Sequence, residues 1–240
     1  MENTLYIALS RQEALRRQMD VVAHNIANMT TTGFKGQRVL FQEYLERPDR
    51  QNATMSFVTD FGTMRNTMPG AMNVTNNPLD VALRDTGYFA VETVAGTRYT
   101  RNGGFSLNAD RELVDVNGLP VLDTNNARIV LPADAADITI TGNGAVIAGE
   151  DEIARLKVVT FANEQLMNEL GGSLLSTTQE EIPVENPQIA QGAVEGSNVQ
   201  PVIEMTQMME VARQYQSNQR ILETEHERIR GALQKLSRAQ

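Results

Sequence analysis

The amino-acid sequence predicts an α+β fold: long N- and C-terminal helices that form a discontinuous coiled-coil domain, with a central antiparallel β-rich domain between them. Three observations predict it. Apolar residues near the N-terminus recur at alternating three- and four-residue steps. Residues 202–240 repeat that spacing with no proline and one glycine, Gly231. The middle is a series of short β-branched or alternating runs, several of them separated by Asn-Gly pairs.

The first element is a helix over residues 3–29. Leu5, Ala8, Gln12, Leu15, Met19, Val22, Ile26 and Met29 form its seam, and Gln12 is the one polar member. Sustained over about three and a half heptads, this spacing meets the coiled-coil criterion. The β-branched run Thr30-Thr31-Thr32 resists continuation, and Gly33 can supply the left-handed residue that closes a helix. The N-terminal part of the coiled-coil domain is therefore 1–33.

Residues 34–77 carry Pro48, Gly62, Pro69 and Gly70 among scattered apolar residues and read as an extended connector. It is long for a structureless loop, so it is expected to pack on something. The β-rich domain is expected over 78–176. Its strand candidates are Leu79–Leu83, Gly87–Thr93, Thr97–Arg101, Gly104–Leu107, Glu112–Val116, Asp137–Thr141 and Ile153–Phe161. Asn102-Gly103, Asn117-Gly118 and Asn143-Gly144 can supply the positive φ angles of tight hairpin turns. A second connector, 177–200, holds Pro183, Pro187, Gly192 and Gly196.

The last element, 201–240, is one helix. Pro201 suits a first turn, and Ser197 or Asn198 could cap just upstream. Met205, Met208, Ala212, Tyr215, Gln219, Leu222, His226, Ile229, Leu233 and Leu236 continue the three-four spacing, with Gln219 and His226 as polar layers. At 1.5 Å per residue the helix runs roughly 50 Å. A compact chain of this size is about 45 Å across. Such a helix cannot be used up by its own domain and needs a partner, for which the N-terminal seam is the obvious candidate.

Composition narrows the function. The chain has 240 residues, no cysteine and two histidines, His24 and His226, so disulfides, thiolate metal sites and cysteine nucleophiles are excluded and a histidine metal site is poorly supported. Net charge is -9. The ends are near neutral, with three basic and three acidic groups in 1–33 and six and five in 201–240. The middle carries the acidity, which argues against nucleic acid. No apolar run is long enough to insert in a membrane. Met1-Glu2-Asn3-Thr4 lacks the basic and apolar regions of a cleaved secretory signal.

Individual candidates for chemistry have simpler readings. His226, beside Glu223 and Glu227, is a register-fixing polar layer before it is a metal ligand. His24 falls on the outer face of its helix. Asp80, Asp85, Asp110, Asp115, Asp123, Asp134 and Asp137 could pair for glycosidase-type acid–base work, but aspartates beside glycine and asparagine are ordinary turn residues. No phosphate loop, zinc-protease or nucleophile-elbow motif occurs. Met205, Met208 and Met209 suit a surface that packs in several slightly different contexts. No catalytic, cofactor-binding or metal-binding residue is expected, and no enzymatic activity.

Three stretches carry a resemblance. Asn25-Ile26-Ala27-Asn28-Met29-Thr30-Thr31-Thr32-Gly33-Phe34-Lys35 resembles the N-N-x-A-N-x-x-T-x-G-F-K signature that ends the N-terminal helix of bacterial flagellar rod and hook proteins. His24 stands in the first Asn position and Thr32 where proline is common. Asn77-Pro78-Leu79-Asp80-Val81-Ala82-Leu83, Gly87-Tyr88-Phe89-Ala90-Val91, Tyr99-Thr100-Arg101-Asn102-Gly103 and Phe105-Ser106-Leu107-Asn108 resemble that family's β-domain motif, with Asp110-Arg111 where Asp-Gly is usual. Gly192-Ala193-Val194-Glu195-Gly196-Ser197-Asn198-Val199 resembles the opening of its C-terminal helix. The opening Met1–Tyr6, Leu15–Gln18 and Val58–Gly62 are most similar to the proximal rod subunit.

The resemblance implies a subunit of the basal-body rod that polymerises through its terminal helices, with the distal rod subunit as the alternative. Its implied partners are copies of itself, other rod subunits including the distal rod protein, and the flagellar type III export apparatus. It implies export without a cleaved signal, assembly in the periplasmic rod, and transmission of torque from motor to hook. A peptidoglycan-binding or glycan-cleaving protein that uses the acidic β domain is the competing reading.

Overall fold

The computed structural model describes residues 2–46, 55–132 and 137–238. Two helices flank a central antiparallel β-rich region, the expected α+β class. In chain order the elements are α1 (Glu2–Ala27), β1 (Gln37–Glu46), β2 (Met55–Arg65), β3 (Met72–Val74), β4 (Val81–Leu83), β5 (Tyr88–Thr93), β6 (Gly96–Thr100), β7 (Ser106–Leu107), β8 (Leu113–Val114), β9 (Ile138–Ile140), β10 (Ala145–Ala148), β11 (Asp151–Arg155), β12 (Val158–Thr160), β13 (Asn168–Gly171), β14 (Leu174–Ser176), β15 (Ile182–Pro183), β16 (Ile189–Gln191), β17 (Ala193–Glu195) and α2 (Pro201–Arg238). They form two units, one of residues 1–27, 37–65 and 200–240, the other of 28–36 and 66–199.

In the first unit α1 packs against α2 and against the hairpin β1–β2. The hairpin lies within 34–77, so that stretch is more than a connector. Its strands pair from Gln37↔Arg65 to Glu46↔Met55, with a bulge at Leu40/Phe41. Helix α1 ends at Ala27, so Met29 falls in the turn after it. The side chain of Asn25 joins helix to hairpin by imitating a strand neighbour. Its Oδ1 accepts from Gln37 N at 2.9 Å, and its Nδ2 donates to Gln37 O at 2.8 Å.

The second unit is built on a six-stranded antiparallel sheet of order β13-β14-β6-β5-β12-β15. A three-stranded sheet, β11-β10-β9, and the pairs β16-β4, β17-β3 and β7-β8 complete it. The stretch 177–200 thus supplies three strands. Central strand β5 explains its own sequence. Tyr88-Phe89-Ala90-Val91 is a continuous apolar run because both faces of the strand are covered. Phe89 and Val91 join Val81, Phe105, Leu113, Val121, Val146 and Leu156 in the larger core. Tyr88 and Ala90 face Tyr99, Val159, Phe161 and Leu175. Phe89 meets Phe105 edge-on, with ring centroids 5.2 Å apart, a favoured aromatic geometry.

Two of the expected Asn-Gly turns form, with φ 77° at Gly118 and 87° at Gly144. Asn102-Gly103 does something else. The Gly103 carbonyl accepts from Val81 N at 2.9 Å, and a Cβ on Gly103 would overlap the Val81 carbonyl oxygen. The glycine is there for close backbone approach.

Phe89 has no exposed surface and sits where both sheet contacts and the larger core converge. Phe89→Ala is expected to destabilise the second unit by about 3–5 kcal/mol, measured by denaturant titration with a signal from the β region.

Candidate functional site

The residues that carry the resemblance converge at one buried centre in the second unit. Glu195, at the end of β17, is 1% exposed. Its Oε1 accepts from Lys35 Nζ at 2.5 Å and from Gly70 N at 2.8 Å. Its Oε2 pairs with Arg101 Nε. Arg101 spends its other nitrogens on main-chain carbonyls, Nη1 on Gly87 O at 2.6 Å and Nη2 on Leu83 O at 3.0 Å. Lys35 also donates to Met68 O at 2.9 Å. Every donor therefore has an acceptor, the condition under which buried ions are tolerated.

The backbone around this centre is equally specified. Gly33 N donates to Glu195 O at 2.7 Å. Gly33 has φ 71°, and a Cβ there would lie 2.6 Å from Arg101 C, so the position needs glycine twice over. Asn198 Oδ1 accepts from Gly36 N at 2.8 Å, and its Nδ2 donates to Asn66 O at 2.9 Å and Met68 O at 2.8 Å. Ser197 Oγ accepts from Val199 N, and Val199 and Phe34 are buried. Asn28 O and its side chain receive Thr31 N and Oγ1 in the turn after α1. Thus Asn28, Gly33, Phe34, Lys35, Ser197, Asn198 and Val199 are framework residues of one junction, and Asn25 does comparable work at the end of α1.

Burial pushes the Glu195 carboxyl up, but the Arg101 charge and the hydrogen bonds from Lys35, Arg101 and Gly70 outweigh it and hold it below the usual carboxylate range. Burial pulls the Lys35 ammonium down against the opposing pull of Glu195. A neighbouring cleft is lined by Lys35, Arg84, Asp85, Tyr88, Arg101 and Glu164, whose charges nearly balance.

Two of the candidate aspartates, Asp115 and Asp123, take turn roles. Asp115 Oδ1 accepts from Asn117 N and Leu119 N, and Asp123 Oδ1 accepts from Asn125 N and Ala127 N. Asp134 lies outside the described residues. Among the described residues no group of three or more histidine, cysteine, aspartate or glutamate side chains could hold a metal ion.

The end helices α1 and α2 meet along a seam. On α1, Ala8, Leu15 and Val22 are buried and Gln12, Met19 and Ile26 half-buried, with Val21 buried beside them. On α2, Met208, Tyr215 and Leu222 are half-buried as expected. The alternate row lies one residue earlier than expected. Val211 and Asn218 are buried, flanked by Glu204 and Glu225, whereas Met205, Gln219, His226 and Ile229 are exposed and Ala212 is half-buried. The cause is polar. Asn218 Nδ2 donates to Ala8 O at 2.8 Å and so holds a buried place that apolar spacing assigns elsewhere. Gln12 Nε2 donates to Tyr215 Oη at 3.1 Å, a polar layer at an expected position. The side chains of Leu5, Leu233 and Leu236 lie outside the described residues. Tyr6, Leu9, Val202, Ile203, Met205, Met209 and Ile221 leave apolar surface exposed on the two helices.

Three family models match the chain: flagella basal body rod protein over residues 5–35, the flagellar hook protein FlgE/F/G D1 domain over 82–148, and the flagellar basal body rod FlgEFG protein C-terminal region over 190–235. The flagellar basal-body rod protein FlgF of Caulobacter vibrioides is 36% identical over 99% of both chains. FlgF of Mesorhizobium japonicum is 33% identical over 90% of both, and the rod protein FlgG of Agrobacterium fabrum 33% identical over 93% of this chain and 95% of its own. The chain belongs to the flagellar basal-body rod protein family.

Glu195→Gln leaves two buried cations without a counter-charge. It is expected to cost about 3–5 kcal/mol at neutral pH by denaturant titration. Because the folded carboxyl titrates below its unfolded value of about 4.3, its stabilisation is present above that value and fades as pH falls through the lower, folded one. The variant is therefore expected to lose stability less steeply than the parent in acid.

Proposed function

We propose that the chain is a structural subunit of the proximal part of the bacterial flagellar rod, built into the shaft that carries torque from motor to hook. Near-full-length similarity to relatives named as rod proteins supports the rod itself. Identity of 36%, 33% and 33% to three proteins named FlgF, against 33% and 29% to two named FlgG, supports the FlgF-type subunit, which we read as the proximal one, over the distal.

Assembly runs through the end helices. Copies of this chain and other rod subunits, the distal rod protein among them, cover the exposed apolar residues by intersubunit coiled-coil contacts. The observation that carries this reading is the exposure of Val202 at 77%, Met205 at 46% and Met209 at 54% within the first three turns of α2. The second unit also exposes apolar residues, Val74, Val94 and Leu166 among them, whereas these three of α2 fall together within three turns of one helix. The expected seam residues that face outward here, Met205, Gln219, His226 and Ile229, then serve neighbouring subunits. The subunit reaches the rod through the flagellar type III export apparatus and serves there as a structural element. No described helix is long and apolar enough to cross a membrane.

The test uses full-length protein. Met205→Glu with Met209→Glu is expected to leave the thermal midpoint within a few degrees, since exposed substitutions change stability little. It is expected to abolish incorporation into basal bodies and swimming, because each buried unpaired charge costs several kcal/mol at an interface. Normal motility with these substitutions contradicts the reading.

A further inference from the structure

We propose that Asn218 sets the register of the two end helices, because its amide is satisfied only when it faces Ala8. Among the described residues, polar contacts join the two helices at several points along the seam. Asn218 meets Ala8, Tyr215 meets Gln12, and Glu204 meets Asn25. Numbers fall along α2 as they rise along α1, so the helices are antiparallel. Of the three, only the first is buried on both sides, and Asn25 is already held by both main-chain groups of Gln37.

An apolar seam by itself does not choose among alignments. On α2 two ladders share Met208, Tyr215 and Leu222. One is completed by Val211 and Asn218, the other by Ala212 and Gln219. A slide of one heptad still sets Val211 opposite Val22 and Tyr215 opposite Met19, at the cost of Leu222 against Gln12. A buried amide breaks that degeneracy, as a polar residue at one core position does in a coiled coil. It costs when unpaired and is tolerated when bonded.

The bond needs a main-chain carbonyl that a side chain does not cover. The α1 row that faces inward is Ala8, Leu15 and Val22. Ala8 alone is small enough to let the Asn218 amide reach the backbone. One heptad along, Asn218 would meet the isobutyl group of Leu15 and lose its acceptor. The register also decides which α2 side chains face outward, Met205, Met209, Gln219 and His226 among them. Their use by neighbours rests on the rod reading, whereas the register does not.

The experiment measures alignment directly in the full-length chain. The sequence has no cysteine, so Asp20→Cys and Glu223→Cys, both at exposed positions, take nitroxide labels cleanly. With Asn218 opposite Ala8, the labels are separated by about 25 Å along the helix axes. The parent is expected to give one narrow distance by pulsed electron spin resonance. Asn218→Leu and Asn218→Ala are each expected to retain helix content and add a second population, shorter by about 10 Å, the length of one heptad. A single unchanged distance in both variants overturns the proposal. So does loss of helix pairing in both, which would make Asn218 a stability contact in place of a register one.

Discussion

Glu195 holds a carboxylate where water does not reach, and burying that charge is tolerated only while Lys35, Arg101 and Gly70 stay in place around it. The partners come from far along the chain, 160 residues away for Lys35 and 94 for Arg101. Each partner fixes further backbone. Arg101 holds the carbonyls that flank the turn between β4 and β5, and Lys35 and Asn198 hold the strand-exit segment at Asn66 and Met68. The chain passes between its two units at four places, and the second-unit segments beside them, 28–36, 66–70 and 195–199, are tied by this one centre. A charge that must be met from several directions leaves few alternative arrangements for those segments.

The end helices obey a looser rule. Their contact is an apolar seam with sparse polar points, and much apolar surface on α1 and α2 remains open. Among the described residues the second unit leaves no buried side-chain nitrogen or oxygen without a partner, and it fills two cores. Exposed apolar residues occur on both units, but on α2 Val202, Ile203, Met205 and Met209 fall within the first three turns and concentrate apolar surface at one end of the helix.

The parts legible in the sequence are those specified by neighbours along the chain. Helices α1 and α2 follow from three-four spacing, and the pair β5–β6 follows from strong β-forming runs. The hairpin β1–β2 escaped because its bulge at Leu40/Phe41 breaks the alternation on which strand reading depends. Strands β13 to β17 are two to four residues long, too short for a local period; β14 to β17 each pair with a strand distant in sequence, and the local hairpin β13–β14 is broken by a bulge at Glu169/Gly171. Glu195 stands in a motif, yet its role was invisible, since an acidic residue between Val194 and Gly196 reads as solvated until its partners are placed. The α2 seam was half legible for a related reason. Asn218 looks like surface, and only the Ala8 carbonyl opposite explains why it is buried.

The account's central claim is that the exposed apolar residues of the end helices are covered by neighbouring subunits in a rod, while the β unit keeps its own interior. A cryo-electron microscopy map of the intact basal body that resolves this subunit's side chains tests it most directly. The account predicts Val202, Ile203, Met205 and Met209 packed against helices of adjacent subunits, with Lys35, Arg101 and Glu195 joined as they are in the single chain. A rod in which those four residues face open solvent, with contacts made by the β unit alone, would contradict it.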